Sequence, residues 1–304
     1  MSATLTDTVA SSTVPASAWY KAPLFGKRKW RPLPESIRFA GASAAYPSTL
    51  SVATYNVWFD NVVNDVRYPA IAKLVTAMDA DIVCLQEVNQ SFLRHLKADT
   101  NVRAAYTCVG IEGETIRGGA FHDCLMLVNR KTLTVPQGAL NDLPGTRDQR
   151  RLLSARVFGV AEEHTQGIRN VTVANAHLES TGAAYALGAR RAQLQFIKGK
   201  LPLSGAIFGG DLNLVTEGET RTPEELGIRD AWTDAGKPAD TPTSDALYKS
   251  TCLPRRLDRV LYTGDAVRAT EASLFGETPL KITQLNQKDL FLSDHKGVLA
   301  ELML

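Results

Sequence analysis

The chain has 304 residues, 44% of them hydrophobic, with 34 basic against 32 acidic side chains and a formal net charge of +2. The near-balance excludes a global polycation, so an anionic partner has to be met by a local patch. No apolar run approaches the roughly 20 residues that span a bilayer, and no basic start leads into an apolar stretch, so neither membrane insertion nor secretion is expected.

In chain order, an opening stretch rich in Ser, Thr and Ala has no hydrophobic periodicity and reads as a disordered tail. The segment from Trp19-Tyr20-Lys21 to Lys27-Arg28-Lys29-Trp30-Arg31 interleaves aromatics with bases. Such a mixture suits stacking on a nucleic acid strand, or an arm whose tryptophans pin it to the domain while its bases face water. Residues 1–48 are set apart on these grounds as a tail and arm. Residues 49–304 show no internal repeat and no Pro/Gly linker, and read as one domain.

Strands and helices alternate from Ser51. Residues 51–57 and 81–85 read as strands, and between them Ile71, Leu74, Val75 and Met78 lie at helical spacing within 68–78. Further strands are expected at 124–128, 152–160, 169–177, 206–209, 257–262 and 296–302, and a second helix at 183–199. Adjacent strands in mid-chain argue against a simple parallel βαβ sheet and for two mixed sheets packed face to face with helices outside. The four cysteines, Cys84, Cys108, Cys124 and Cys252, lack metal-ligand spacing and read as reduced thiols of an intracellular protein, nuclear in a eukaryote and cytoplasmic in a bacterium.

Four short segments each end an apolar run in acids, amides or histidines: Thr54-Tyr55-Asn56, Leu85-Gln86-Glu87, Gly210-Asp211-Leu212-Asn213 and Ser293-Asp294-His295 after the Phe291-Leu292 pair. His177 closes the apolar stretch 171–176, and Asp258 sits inside Leu257-Asp258-Arg259-Val260. Each alone is explained by capping or a turn, but their recurrence at strand ends points to one cleft gathered on a sheet edge. Phosphodiester hydrolysis needs a cation on the phosphate oxygens, a base for water, and donors aimed at the developing charge. Glu87 is the expected metal carboxylate, with Asn56 and Asp294 at the same ion. Asp211 is the expected base, with Asn213 two residues on to orient it or the phosphate. His295 is a phosphate donor oriented by Asp258, and His177 a donor on the opposite side.

These motifs, in this order, resemble the endonuclease/exonuclease/phosphatase superfamily over about residues 50–304. The resemblance implies a four-layer α/β sandwich and a phosphoesterase dependent on Mg2+ or Mn2+. The string His177-Leu178-Glu179-Ser180-Thr181, the following Arg190, Arg191 and Gln193-Leu194, and Ile228-Arg229-Asp230-Ala231-Trp232 are similar to the tyrosyl-DNA phosphodiesterase 2 branch. That branch removes tyrosine from DNA 5′ ends left by trapped topoisomerase, so the resemblance implies a DNA repair enzyme, expected to be monomeric, acting on single-stranded or frayed 5′ ends carrying tyrosine or peptide. It places Ser180, Thr181, Arg190 and Trp232 at the substrate. Gly182 and Thr243-Ser244 depart from the branch's pattern, which has an arginine and a tryptophan there. Two other readings are an abasic-site or less specific endonuclease of the superfamily, which usually lacks the Glu-Ser-Thr after the histidine, and a non-catalytic binding protein, which normally loses the metal carboxylate or the base.

Overall fold

The structure, a computed structural model, describes residues 21–22, 24–25, 48–110, 123–136, 138–159, 170–180, 184–202, 204–244, 253–282 and 290–304. Its strands are β1 (Lys21–Ala22), β2 (Leu24–Phe25), β3 (Thr49–Asn56), β4 (Ile82–Val88), β5 (Tyr106–Gly110), β6 (Asp123–Asn129), β7 (Leu133–Thr134), β8 (Gly138–Asp142), β9 (Arg151–Gly159), β10 (Asn170–His177), β11 (Ala206–Asp211), β12 (Arg229–Asp230), β13 (Asp258–Thr263), β14 (Arg268–Phe275) and β15 (Gly297–Met303). The helices are α1 (Asn64–Met78), α2 (Gln90–Ala98), α3 (Thr100–Ala105), α4 (Ala184–Lys200) and the one-turn α5 (Glu217–Thr220), α6 (Thr222–Glu225) and α7 (Ala231–Asp234).

Two sheets form, ordered β1-β5-β6-β4-β3-β15-β14 and β12-β13-β11-β10-β9-β8-β2, with β7 beside β9. Both are mixed. The β3–β4 and β10–β11 pairs are parallel, and most neighbours are antiparallel. The central strands are apolar on both faces because each face meets another layer. On β3 and β4, Leu50, Val52, Ile82 and Cys84 face the other sheet and join Val173, Ile207 and Val260 in the inter-sheet core. The alternate residues Ala53, Tyr55, Val83 and Leu85 pack under Tyr68, Ile71 and Val75 of α1 and Phe92 of α2. Beyond the second sheet, Ala174, Ala176 and Phe208 pack under Leu194 and Ile197 of α4. The result is helix, sheet, sheet, helix, the four-layer sandwich expected.

Two glycines of β11 allow close contacts behind the site, one to the facing sheet and one to the neighbouring strand. A Cβ on Gly209 would stand 3.0 Å from the Cys84 side chain, and one on Gly210 would stand 2.2 Å from the Ala176 carbonyl oxygen. Only glycine fits at 210 without moving backbone. Cys84, Cys108 and Cys124 are buried free thiols, and burial pushes Cys84 and Cys124 up to about 12. Cys252 lies outside the described residues.

Several boundaries differ from expectation. α1 starts at Asn64 and carries Pro69 inside it. β4 runs on through Gln86 and Glu87 to Val88, and β11 includes Asp211. Phe291-Leu292 is not a strand; His295 instead precedes one, β15. β5, β8 and β14 were not expected. The tail and most of the basic-aromatic arm lie outside the described residues, but β1 pairs with β5 and β2 with β8, so this short segment joins an edge of each sheet. Among the described residues no helix is long and apolar enough to cross a membrane.

Candidate active site

Strand register builds the site. His177, the last residue of β10, pairs with Asp211, the last of β11, which pairs with Asp258, the first of β13. Residues level with one another across a sheet project on the same face, so these three form one row. His295 enters from the segment before β15, and Asn56 from the end of β3 in the facing sheet.

Asp211 is the centre of the cluster. Asn56 Nδ2 donates to its Oδ2 at 3.0 Å, His177 Nε2 lies 3.3 Å and His295 Nε2 3.9 Å from the same oxygen, and the Asn213 N–H donates to Oδ1 at 3.0 Å. Asn213 holds this turn in a left-handed conformation, φ 50°, which asparagine tolerates better than most residues, and its Nδ2 donates to Leu178 O at 3.2 Å. Burial and the Asp258 charge push Asp211 up to about 7, against the opposing effect of His295 and the Asn56 hydrogen bond.

The two imidazoles are oriented differently. Arg150 donates from Nη1 to His177 Nδ1 at 3.0 Å, and because arginine has no acceptor, His177 carries its proton on Nε2, facing Asp211. His295 Nδ1 lies 2.8 Å from Asp258 Oδ2. Burial would push His295 down, but the Asp258 charge and hydrogen bond, with Asp211 and Asp294, hold it well above the ordinary imidazole range. Thr243 secures both partners: its Oγ1 accepts from the Leu257 and Asp258 N–H groups at 3.0 Å, and its carbonyl accepts from Lys296 N.

The pH profile follows. If Asp211 is the base, needed deprotonated, and His295 the phosphate donor, needed protonated, kcat/KM should rise as pH passes the Asp211 value and fall as His295 deprotonates. The Asp258 charge raises both groups. Asp258→Asn should therefore lower turnover and move both limbs of the profile toward acid; a slowed enzyme with unmoved limbs would show that Asp258 does not set these charges.

Glu87 sits on distorted backbone. The β4–β6 register slips between Leu85 and Val88, and Glu87 has φ 58°. A bulge re-aims side chains, and a non-glycine residue in this region is held by its surroundings. The bulge also interrupts the ladder, and Asn175 of β10 answers it from the other sheet: Nδ2 donates to Leu85 O at 3.0 Å and Leu125 O at 2.8 Å, while Oδ1 accepts from Gln86 Nε2 at 2.8 Å. Gln86 Nε2 also donates to Thr54 Oγ1 at 3.0 Å. Asn175→Ala would leave buried carbonyls without this donor and should cost on the order of 3–5 kcal/mol, read as a lower urea midpoint at unchanged slope. A loss under about 1 kcal/mol would mean that water replaces the amide.

Glu87 is half-buried and its Oε2 accepts from the Phe59 N–H at 3.0 Å. Asn56 Oδ1 accepts from Trp58 N at 2.9 Å. Ser293 Oγ donates to Asn56 O at 2.6 Å and lies 3.4 Å from Asp294 Oδ1. Asp294 is raised by burial, with His295 opposing. Ligand atoms of Asp211, Asp258 and His295 lie within 4.8 Å of one another. Of the expected substrate residues, Ser180 is exposed, its Oγ 3.2 Å from Asp148 Oδ2, and Thr181 lies outside the described residues.

Arg190 and Trp232 are placed otherwise than expected. Arg190 is fully buried, Nε 2.6 Å from Glu219 Oε1 and Nη1 donating to Glu179 O at 2.9 Å, so it ties α4 to α5. Trp232 packs in the inter-sheet core and donates from Nε1 to Pro238 O at 2.8 Å. Both side chains are taken up inside the domain. Arg150, Thr243 and Asn175 were missed; of these only Arg150, an arginine directly before an apolar strand, had a visible signal.

The endonuclease/exonuclease/phosphatase family model matches residues 53–295, and the chain belongs to that family, whose members are in general hydrolases of phosphate esters and diesters that use divalent metals. No curated protein matches the chain. Among solved structures it is similar to TDP2 from C. elegans, at TM-score 0.64 and 25% identity over 84% of this chain and 75% of that one. It is also similar to D. rerio TDP2 complexed with single-strand DNA product, at 0.66 and 21% over 84% and 99%. An endonuclease/exonuclease/phosphatase from Bacteroides vulgatus matches at 0.66 and 20% over 84% and 99%.

Proposed function

We propose that this chain is a metal-dependent phosphodiesterase that hydrolyses the 5′-phosphotyrosyl bond of DNA ends left by trapped topoisomerase, a DNA repair activity. The observation that carries the hydrolytic reading is a buried carboxylate, Asp211, with two imidazole Nε2 atoms 3.3 and 3.9 Å from one of its oxygens. The narrower substrate is supported by the string from His177 to Thr181 ahead of α4 and by the likeness to TDP2 structures, one of which holds a single-strand DNA product.

Glu87, Asn56 and Asp294 offer only hard oxygens, and the buried thiols nearby stay protonated, so the donor set fits Mg2+ or Mn2+ rather than zinc. When bound, such an ion supplies positive charge to the phosphate oxygens. Asp211 takes a proton from water, whose oxygen bonds to phosphorus as the bond to the tyrosine oxygen breaks and that oxygen leaves with the electron pair. His295 and His177 donate from Nε2 to the phosphate oxygens as charge builds. Ser180 precedes α4 in sequence, and its hydroxyl would meet the 5′-phosphate there, since helix-start N–H groups favour an anion.

The test is a panel of 5′-phosphotyrosyl DNA, 3′-phosphotyrosyl DNA, an abasic-site duplex and an inositol phosphate. The 5′-tyrosyl end should be cleaved in preference to the 3′ end, and single-stranded or frayed ends in preference to blunt duplex. Equal cleavage of both polarities, or faster incision at the abasic site, would assign the chain to another activity of its family.

A further inference from the structure

Arg67 of α1 is fully buried, and backbone carbonyls surround its guanidinium. Nε donates to Val62 O at 2.8 Å, Nη1 to Leu292 O at 2.8 Å and Val57 O at 3.3 Å, and Nη2 to Asp60 O at 2.5 Å and Trp58 O at 3.3 Å. Its carbon lies 4.3 Å from the centroid of the Trp58 ring. Those carbonyls come from two places. Residues 57–62 directly follow Asn56 and, through the Phe59 N–H, hold Glu87. Leu292 directly precedes Ser293-Asp294. In sequence Leu292 is 225 residues from Arg67 and Val57 is 10.

Residues 57–61 have no regular secondary structure, and Trp58 within them has φ 58°. A segment of that kind takes its shape from whatever satisfies its carbonyls. Here Asn89 Nδ2 donates to Phe59 O at 2.9 Å and the Tyr68 hydroxyl reaches Trp58, Phe59 and Asp60 O at 3.3–3.4 Å, but most of the short bonds come from one rigid, planar cation, whose fixed fork suits several acceptors at once, as a lysine would not. We propose that Arg67 is a positioning residue for the metal centre: it locks the segment carrying Asn56 and holding Glu87 to the segment carrying Asp294, so that the ligands of the two sheet strands and of the loop before β15 present one geometry. This rests on the metal reading above, with Arg67 touching the ligand segments rather than the ion.

Partners that orient metal ligands typically contribute 10- to 100-fold to metal affinity. The experiment is a Mn2+ titration, without substrate, of wild type, Arg67→Lys and Arg67→Met, followed by the electron paramagnetic resonance signal of free Mn2+. Far-UV circular dichroism and melting are recorded alongside. Wild type should bind Mn2+, and the variants should bind it about 10- to 100-fold more weakly, Met worse than Lys, with the Mn2+ concentration for half-maximal hydrolysis rising by the same factor. Trp58→Leu, which removes the ring beside the guanidinium and strands no charge, should weaken Mn2+ binding in the same direction if the Arg67 variants fail to fold. Folded Arg67 variants that melt earlier but bind Mn2+ as tightly as wild type would overturn the inference, leaving Arg67 a packing residue. A Trp58→Leu protein with unchanged Mn2+ affinity, standing in for unfolded Arg67 variants, would overturn it too. A wild type that binds no Mn2+ would overturn the metal reading itself.

Discussion

Asp211→Asn should lower turnover by about 10²- to 10⁴-fold or more while the protein stays folded. Asparagine keeps the shape of the carboxylate and, with one oxygen in place of two, can still accept from either Asn56 Nδ2 or the Asn213 N–H, so the fold and most of the site stay assembled. What it loses is the capacity to take a proton from water. His295→Ala should cause a loss of similar order by a different route, removing the donor 3.9 Å from Asp211 that Asp258 orients. Because the two act in one transition state, the double variant should be little slower than the worse single one. Single-turnover rates on a 5′-phosphotyrosyl oligonucleotide settle the matter. A folded Asp211→Asn protein with near-normal turnover would remove Asp211 from the base role, and a near-normal His295→Ala would remove the phosphate donor.

Chelation should abolish activity, and Mg2+ or Mn2+ should restore it, whereas Ca2+ should hardly do so. The reason is the small set of hard oxygens on Glu87, Asn56 and Asp294, which suits a small ion that keeps waters and substrate oxygens around it, while calcium asks for more ligands at longer distances. Glu87→Gln should weaken metal binding and slow hydrolysis at limiting metal. Full rate in a metal-stripped preparation would show that Glu87 serves another purpose.

The residues that meet in the cluster were legible in the sequence, because each is a polar group interrupting an apolar run. Asn56, Asp211, Asp258 and His295 meet as expected, and the apolar alternation that located their strands also gave the two sheets and their flanking helices. Periodicity is a local signal, read over a few residues. It carries no information on which carbonyl a bulge will leave open, or which side chain of another sheet will meet it.

Tertiary packing alone decided the rest. Glu87 looked like the end of a run; the register slip to Val88 and its φ of 58° exist because β4 is paired to β6 and Asn175 reaches across from β10. Arg190 and Trp232 are residue types that suit DNA as well as an interior, and what chose the interior was Glu219 and the Pro238 carbonyl, neither of them predictable from the neighbours of Arg190 or Trp232. Arg67, in a helix with no visible site motif, takes its meaning from Leu292, 225 residues away. The sequence by itself determined which groups are available for chemistry, through residue type and period. Only the tertiary structure decided which of them face the cleft and which hold it in shape, because contacts between distant segments are set by how the layers pack.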